Sequence, residues 1–169
     1  VDSIFMYEPG LLTMESHELE WISCFGADDG LASSSAQGGT EPYTFVWDNN
    51  QVGATVNTLS PGLHTVVVTD SRGCTASDTV FIHEPALLSV SISVVVPVYC
   101  TGASTGVLAA NISGGTSGYT YLWDDALQAS QTTDTAILLS PDIYTVLVTD
   151  SRGCTASASE DITTVTNSM

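Results

Sequence analysis

The chain has 169 residues, of which 43% are hydrophobic and 12% charged, a composition typical of a globular protein rather than a disordered one. Its 19 acidic residues against 2 basic ones give a net charge of −17. This charge repels phosphate backbones and anionic lipid headgroups, so it excludes nucleic-acid binding and attachment to an anionic membrane surface. The longest apolar run, Val94–Val98, is too short to span a bilayer.

The chain is organised as a tandem repeat. The nine residues TDSRGCTAS occur at Thr69–Ser77 and again at Thr149–Ser157. Earlier matches share an offset of 76 residues, which becomes 80 after the tryptophan: Cys24 with Cys100, Trp47 with Trp123, and then Cys74 with Cys154. We therefore predict two repeats, at residues 10–85 and 86–169, with four extra residues between Trp123 and Leu139 of the second. Residues 1–9 match the end of the first repeat, so we expect them to be the last strand of a preceding repeat in a longer array.

The predicted elements are β-strands separated by turns, a spacing typical of a sandwich or barrel. Residues 13–20 carry charges where apolar residues are expected, so they predict an exposed edge strand that is protected from pairing with other chains. The other predicted strands are 43–47, 63–70 and 74–83 in the first repeat, and 89–96, 107–112, 119–123 and 143–150 in the second. No window shows convincing helical periodicity, so the predicted fold is all-β.

Each repeat contains two cysteines. In a small β domain of an oxidising compartment, such a pair predicts one disulfide per repeat, here Cys24–Cys74 and Cys100–Cys154. A bridge of this kind would stabilise a domain whose core is marginal in size. A zinc site is the alternative, but the sequence has no Cys-x-x-Cys spacing to favour it.

The repeated turn that follows the predicted strands 63–70 and 143–150 contains the residues of a tight hairpin. Asp70 and Asp150 are predicted to accept hydrogen bonds from backbone amides, and Gly73 and Gly153 to take the positive-φ position. Calcium is the alternative for the acidic residues, with Asp28, Asp29, Glu8 and Glu84 as candidate ligands, although Asp28 and Asp29 have no acidic counterparts in the second repeat. Arg72 and Arg152, the only cations, are either solvated turn residues or contacts to a neighbouring repeat or chain.

The order of these motifs resembles the SprB-repeat family of very large surface adhesins of gliding and marine Bacteroidota. The resemblance rests on the cysteines, Gly-Gly-Thr (38–40 and 114–116), the Tyr43–Trp47 strand, Leu-Ser-Pro, the Asp-Ser-Arg-Gly-Cys turn and the closing Glu84-Pro85. It implies tandem immunoglobulin-like sandwiches, exported by the type IX secretion system to the cell surface. It also implies a stalk or adhesive segment rather than a catalyst. We expect no cofactor, and we expect the partners to be neighbouring repeats of the same chain and, in a bundled filament, other copies.

Several side chains have both a structural and a functional interpretation. Trp47 and Trp123 are expected in the core against a disulfide, with sugar stacking as the alternative. Tyr144 is a candidate for a tyrosine corner, with His64 in its place in the first repeat. If the chain is instead a glycan-binding module, the exposed aromatics Tyr43 and Tyr121 are the expected contacts. Three Asp-Ser/Thr-apolar triplets make Ser3, Thr79 and Thr135 candidate O-glycosylation sites. No catalytic constellation is found, so an enzyme is not predicted.

Overall fold

The structure, a computed structural model, describes residues 8–100, 102–124 and 131–162. The chain divides into two compact units, Val1–Glu84 and Pro85–Met169. Three sequence predictions concern residues outside the described ranges. These are the strand and the Ser3 site at the start of the chain, part of the insertion after Trp123, and the altered end of the second repeat.

Every regular element of the described residues is a β-strand, and each unit contains six. The first unit has β1 (Thr13–Glu20), β2 (Gly30–Gln37), β3 (Thr44–Trp47), β4 (Thr55–Leu59), β5 (Gly62–Thr69) and β6 (Thr75–Ile82). The second unit has β7 (Ser89–Val96), β8 (Gly106–Ser113), β9 (Thr120–Trp123), β10 (Thr135–Leu139), β11 (Ile143–Thr149) and β12 (Thr155–Asp161).

Each unit is a sandwich of two antiparallel three-stranded sheets. In the first unit the strand orders are β1-β2-β4 and β3-β5-β6, and in the second they are β7-β8-β10 and β9-β11-β12. This is the distribution of strands A, B and E against C, F and G in an immunoglobulin-like sandwich. The prediction of an all-β, immunoglobulin-like sandwich in each repeat is confirmed.

Alternating side chains place the core of each unit between its two sheets. In β5, His64, Val66 and Val68 are buried, whereas Val67 on the opposite face is partly exposed. This alternation is the consequence of the two-residue period of a strand. The corresponding core of the second unit is formed around Val146 and Val148 of β11.

The first strand of the first unit is an edge strand, as its charges predicted. Among the residues that the structure describes, β1 pairs only with β2, and the register shifts between Glu18 and Glu20. Charged side chains and an irregular register both discourage the pairing of an exposed edge with a strand of another molecule. The charges of β1 are therefore compatible with a well-formed strand.

Candidate functional site

An aspartate in the hairpin between β5 and β6 organises the most elaborate polar site of the first unit. Asp70 Oδ1 accepts hydrogen bonds from the backbone N–H groups of Arg72 (2.9 Å) and Cys74 (2.8 Å), and Oδ2 accepts one from Thr40 (2.9 Å). Two of these bonds close the hairpin itself, and the third ties it to the Gly-Gly-Thr loop. We call this group of residues the aspartate turn.

The second unit repeats the aspartate turn with the same partners. Asp150 Oδ1 accepts from the N–H groups of Arg152 and Cys154, both at 2.9 Å, and Oδ2 accepts from Thr116 at 2.8 Å. Both aspartates are buried. Because every carboxylate oxygen accepts from backbone N–H groups, the site holds two loops together and resembles neither a catalytic nor a metal-binding arrangement.

The surroundings of both aspartates favour the charged carboxylate. For Asp70, burial raises the pKa, but hydrogen bonds from the N–H groups of Cys74, Thr40 and Arg72 outweigh this effect and hold the pKa below its usual value. For Asp150, burial likewise raises the pKa, and hydrogen bonds from the backbone N–H groups of Thr116, Cys154, Arg152 and Gly153 lower it overall. The turn therefore depends on ionised carboxylates.

The Gly-Gly-Thr motif is needed because backbone and carboxylate approach each other closely in the aspartate turn. Gly39 has φ +59°, and a Cβ at that position would lie 2.8 Å from Asp70 Oδ2. Gly115 of the second unit has φ +66°, and its Cβ would lie 3.0 Å from Asp150 Oδ2. From the sequence, Gly-Gly-Thr and Asp-Ser-Arg-Gly-Cys are two separate motifs. Their equal recurrence in both repeats was the only signal that they form one site.

The predicted disulfides within each repeat, Cys24–Cys74 and Cys100–Cys154, are wrong. Cys74 and Cys100 are both free, exposed thiols. The prediction of one disulfide for each sandwich is therefore corrected, and Trp47 and Trp123 do not pack against bridges of this kind.

The reason is that the two cysteines of a repeat lie at opposite ends of the sandwich. Cys74 directly precedes β6, whereas the loop that contains Cys24 lies beside the end of β6, where Ile22 N donates to His83 O at 3.0 Å. A strand of eight residues spans roughly 26 Å. Bridged cysteines need Cα atoms within about 7 Å of each other, so no bond can form across this length.

The second unit has the same arrangement. Cys154 directly precedes β12. Val98, two residues before Cys100, lies near Ile162 after the end of β12, because a Cβ on Gly106 would be 3.1 Å from Val98 Cγ2 and 3.2 Å from Ile162 Cδ1. The spacing of the cysteines along the sequence does not indicate that they lie at opposite ends of the sandwich, because it contains no information about the end of a strand at which each loop lies.

The predicted core aromatics occupy the interior. Trp47 and Trp123 are each 1% exposed. Their indole N–H groups donate to backbone carbonyls, Trp47 to Gly53 at 3.0 Å and Trp123 to Thr133 at 2.9 Å. Buried indoles with satisfied N–H groups serve the core and are inaccessible to a sugar.

The position of the tyrosine corner is occupied by a different side chain in each unit. Tyr144 donates its hydroxyl to Ser140 O at 3.0 Å. In the first unit, His64 Nε2 lies 2.9 Å from Ser60 O, the equivalent carbonyl, and Nδ1 lies 2.9 Å from Asp48 Oδ1. Burial raises the pKa of Asp48, but hydrogen bonds from His64 and from the Thr65 N–H, with the charge of His64, lower it overall.

The remaining candidate residues are dispersed. Both arginine side chains are exposed at the hairpin tips, and Arg72 borders a cavity of about 380 Å³ together with Glu8, Asp70 and Cys74. Of the glycosylation candidates in the described ranges, Thr79 is exposed on β6, whereas Thr135 is half-buried and donates its hydroxyl to Asp134 at 3.0 Å.

Two of the candidate calcium ligands accept hydrogen bonds from backbone N–H groups. Asp29 accepts from Ser23 N at 2.9 Å, and Glu84 accepts from Gly26 N at 3.0 Å. Within residues 8–100, 102–124 and 131–162, no group of three or more His, Cys, Asp or Glu side chains is placed to hold a metal ion.

A group of exposed aromatic rings was missed by the sequence analysis. Trp21 stacks on His83 with ring centroids 5.1 Å apart, and Phe81 meets the edge of the same ring at 4.9 Å. Glu18 fixes His83 by accepting from its backbone N–H at 2.6 Å and facing Nδ1 at 2.7 Å. We call Trp21, Phe81 and His83 the exposed aromatic group. Trp21 is distant in sequence from Phe81 and His83, and the second repeat has no equivalent of the three residues.

The aromatics that the sequence analysis favoured for glycan contact are less available. Tyr43 and Tyr121 are both half-buried and pack against the cores of their units. The hydroxyl of Tyr43 also donates to Gly38 O.

Comparisons with known proteins relate this chain to one repeat family. The family model described as "SprB repeat" matches residues 22–52 and 92–128. No curated protein matches the chain in sequence. In the described part of the chain, no helix has the length and apolar character needed to cross a membrane.

Three solved structures resemble the chain at low sequence identity. One structure, described as the structural basis for Dscam isoform specificity, has 15% identity and a TM-score of 0.42, and the alignment covers 94% of this chain and 47% of that one. The C-terminal 282-residue fragment of intimin, in complex with the intimin-binding domain of the translocated intimin receptor, has 16% identity, a TM-score of 0.45 and coverages of 94% and 65%. The ectodomain of mouse nectin-like molecule 4 has 12% identity, a TM-score of 0.40 and coverages of 92% and 65%.

This chain thus spans less than two thirds of each of those three chains. The likeness in sequence is more specific than the likeness in structure. The resemblance predicted from the motifs is confirmed: the chain carries two segments that match the SprB-repeat family, one in each unit.

Proposed function

We propose that this chain is a non-catalytic, structural and adhesive segment of a long protein on the cell surface. The observation that carries the proposal is the aspartate turn, which occurs identically in both units and directs both carboxylate oxygens to backbone N–H groups. The most elaborate polar arrangement of the described residues is therefore used to hold loops in place. A repeated module of this kind suits an array that presents or spaces other parts of a protein.

The net charge supports the same proposal. A charge of −17 on 169 residues keeps the chain soluble and makes like-charged modules repel each other. The family match adds the expectation of an exported bacterial adhesin that takes part in attachment, gliding or capture of particles. Export by type IX secretion, an origin in Bacteroidota and bundling with other copies belong to this proposal.

Antibodies raised against the purified chain test the proposal. We expect them to label intact, non-permeabilised cells of the source organism and to reduce attachment of those cells to a surface, while preimmune antibodies of equal concentration do neither. Labelling that needs permeabilised cells would refute the surface location. Surface labelling without any effect on attachment or gliding would leave a spacer and refute the adhesive role.

A second candidate function, glycan binding, is favoured by the exposed aromatic group. Trp21 and Phe81 are each 53% exposed although both are large apolar side chains, and His83 and Glu18 hold them in place. An ordered, exposed group of rings is a typical surface for stacking against the apolar face of a sugar.

Glycan-array binding by the whole chain, with and without a calcium chelator, tests the second candidate. The matched variants are Trp21→Ala, which removes a ring of the exposed aromatic group, and Tyr121→Phe, which removes only the hydroxyl of a half-buried ring at one of the two other candidate positions. Binding that is lost in Trp21→Ala and kept in Tyr121→Phe supports the candidate. No binding by the unmodified chain, or equal binding by both variants, contradicts it.

A further inference from the structure

The outer face of one sheet in the first unit carries no charged side chain. In the sheet of β3, β5 and β6, the two residues of a cross-strand pair lie on the same side, and the buried pair Trp47 and Val66 marks the side of the core. The opposite side is formed by the residues that alternate with these core positions. They are Thr44, Val46, Leu63, Thr65, Val67, Thr69, Thr75, Ser77, Thr79 and Phe81. We call this set of positions the uncharged face.

The second unit repeats the uncharged face in the sheet of β9, β11 and β12. The equivalent positions are Thr120, Leu122, Ile143, Thr145, Leu147, Thr149, Thr155, Ser157, Ser159 and Asp161. All of them except Asp161, at the end of β12, are again Ser, Thr or a branched aliphatic residue. The uncharged face is therefore a feature that both units share.

The outer face of the other sheet differs between the units. In the first unit, β1 exposes Glu15 and His17 on that face. In the second unit, β7 exposes Ser91 and Ser93 at the equivalent positions. Of the two outer faces of a sandwich, the uncharged face is thus the one that keeps its chemistry from one repeat to the next.

Branched aliphatic side chains form the centre of the uncharged face. Val46 of β3 and Val67 of β5 are cross-strand neighbours, and Leu122 and Leu147 form the same pair in the second unit. Each of these four side chains is between 37% and 48% exposed, so the core of neither unit covers them. Exposed apolar groups on a surface without charges are typical of the centre of an interface.

The charge of the chain limits which partner can cover this face. A partner that buries a charged side chain against it leaves that charge without a counterpart, which is unfavourable. A cationic partner is attracted instead to carboxylates elsewhere, such as Glu15 and Glu18 of β1. A second copy of the chain offers an equally uncharged surface, and the Ser and Thr hydroxyls of both copies can donate and accept hydrogen bonds.

We propose that two copies of this chain associate through their uncharged faces, the face of a unit in one copy covering the equivalent face in the other. Such a self-complementary contact is isologous, the commonest kind between identical chains. The inference rests on the proposed function, in which copies bundle, and it names the surface through which they do so.

The size of the face predicts a weak contact. In the first unit the three strands are four, eight and eight residues long. With strands about 4.8 Å apart and a rise of about 3.3 Å per residue, the face covers roughly 300 Å². A stable interface buries about 800 Å² on each partner. We therefore expect reversible association that is detected at high protein concentration and not a permanent dimer.

Salt should strengthen this association. Two chains with a net charge of −17 repel each other, and the repulsion acts through their acidic loops and edge strands and not through the uncharged face. The screening length falls from about 10 Å in 0.1 M salt to about 3 Å in 1 M salt, so repulsion weakens while the apolar contact remains. An interface made of ion pairs would respond in the opposite direction.

Sedimentation equilibrium of the whole chain, from micromolar to millimolar concentration and at about 0.1 M and 1 M sodium chloride, tests the proposal. The free thiols Cys74 and Cys100 are blocked with N-ethylmaleimide so that they cannot cross-link copies. The chain is produced without O-glycosylation, because a glycan on Thr79 would cover the face. We expect a monomer–dimer equilibrium that shifts toward the dimer at the higher salt concentration.

Charged variants locate the contact on the molecule. The double variant Val67→Glu/Leu147→Glu places a carboxylate in the centre of both uncharged faces, and it should lower the association constant about tenfold or more, because like charges then meet. The matched control, Asn57→Glu, adds a carboxylate at an exposed position of β4 in the other sheet and should change the constant little. If the charged double variant fails to fold, Val67→Thr/Leu147→Thr repeats the test without a charge and should also weaken association.

Four results would overturn the proposal. These are a monomer under all conditions, association that weakens with added salt, a double variant that associates like the unmodified chain, and equal losses in the double variant and in Asn57→Glu. A monomeric chain whose uncharged face binds a neutral polysaccharide would assign the face to a glycan instead. Each of these results leaves the surface location and the adhesive role to the antibody experiment, so the two proposals can fail separately.

Discussion

In each unit, one cross-strand pair in the core combines a small side chain with a larger one. The larger side chain lies on a different strand in the two units. In the first unit Ala32 of β2 faces Val56 of β4, whereas in the second unit Leu108 of β8 faces Ala136 of β10. All four side chains are buried. The larger residue has changed strands while the fold has stayed the same, so the sandwich depends on the total volume at this layer more than on the identity of each residue.

The tyrosine-corner position shows the same freedom in polar chemistry. His64 and Tyr144 occupy equivalent positions, and each binds the backbone carbonyl four residues earlier. By contrast, the aspartate turn is identical in both units down to its three backbone donors. The core pair needs a certain total volume, and the tyrosine-corner position needs one hydrogen bond to a backbone carbonyl. The aspartate turn, by contrast, has the same side chain in both units.

The largest effect is expected from Leu108→Ala, which leaves small residues on both sides of the pair in the second unit. Loss of a buried leucine next to Ala136 should lower the free energy of unfolding of that unit by about 2–5 kcal/mol, because a cavity remains. Urea unfolding followed by hydrogen exchange and mass spectrometry would assign the loss to one unit. The control, Leu147→Ala on the outer face of β11, should cost far less, and equal losses would contradict the account of the core.

Asp70→Asn should destabilise the first unit by about 1–3 kcal/mol, because the NH₂ group of an amide cannot accept a hydrogen bond and leaves at least one partly buried backbone N–H without its acceptor. The control, Asp28→Asn, removes an exposed carboxylate from the same unit and should have almost no effect on the free energy of unfolding. The same substitution at Asp150 should cost as much in the second unit, since the two turns share their geometry. A neutral Asp70→Asn would show that the turn is held by other contacts.

A double variant can test whether the larger core residue can move from β4 to β2 in the first unit. Ala32→Leu alone should cost about 1–3 kcal/mol by overpacking against Val56. The double variant Ala32→Leu/Val56→Ala, which copies the pair of the second unit, should recover most of that loss. The coupling is measured as the non-additive part of a double-mutant cycle. Additive effects would mean that the two positions do not compensate each other.

A smaller, pH-dependent effect should be common to both units. Since the folded-state pKa values of Asp70 and Asp150 are lowered, their stabilisation is complete above the pKa of an unfolded aspartate, about 3.9, and is lost as the pH falls through the folded values. The free energy of unfolding should therefore decline below about pH 4. In the double variant Asp70→Asn/Asp150→Asn this decline should be shallower, and an unchanged slope would assign it to other carboxylates.

Much of the fold was predictable from the sequence because it depends on local patterns. The alternation in β5 and β11, the turn residues and the exact repetition of TDSRGCTAS determined the strands, the hairpins and the number of units. The edge position of β1 followed from its charges. These features involve residues close in sequence, or residues that are compared between two copies.

The rest depended on contacts between distant residues that no local pattern reports. The bonds that join Gly-Gly-Thr to Asp70 connect two loops, and the exposed aromatic group combines Trp21 with Phe81 and His83. The disulfide prediction failed for the same reason. Two cysteines in one repeat suggest a bridge, but only the direction of β6 shows that they lie at opposite ends.

The position of the two cysteines in one repeat is the central claim, and a distance measurement tests it most directly. In a Cys100→Ser/Cys154→Ser variant, nitroxide labels on Cys24 and Cys74 report their separation by double electron–electron resonance. The length of β6 predicts a distance of about 25–30 Å, with allowance for the label arms. A distance below about 15 Å would place both cysteines at the same end of the sandwich and would contradict the account.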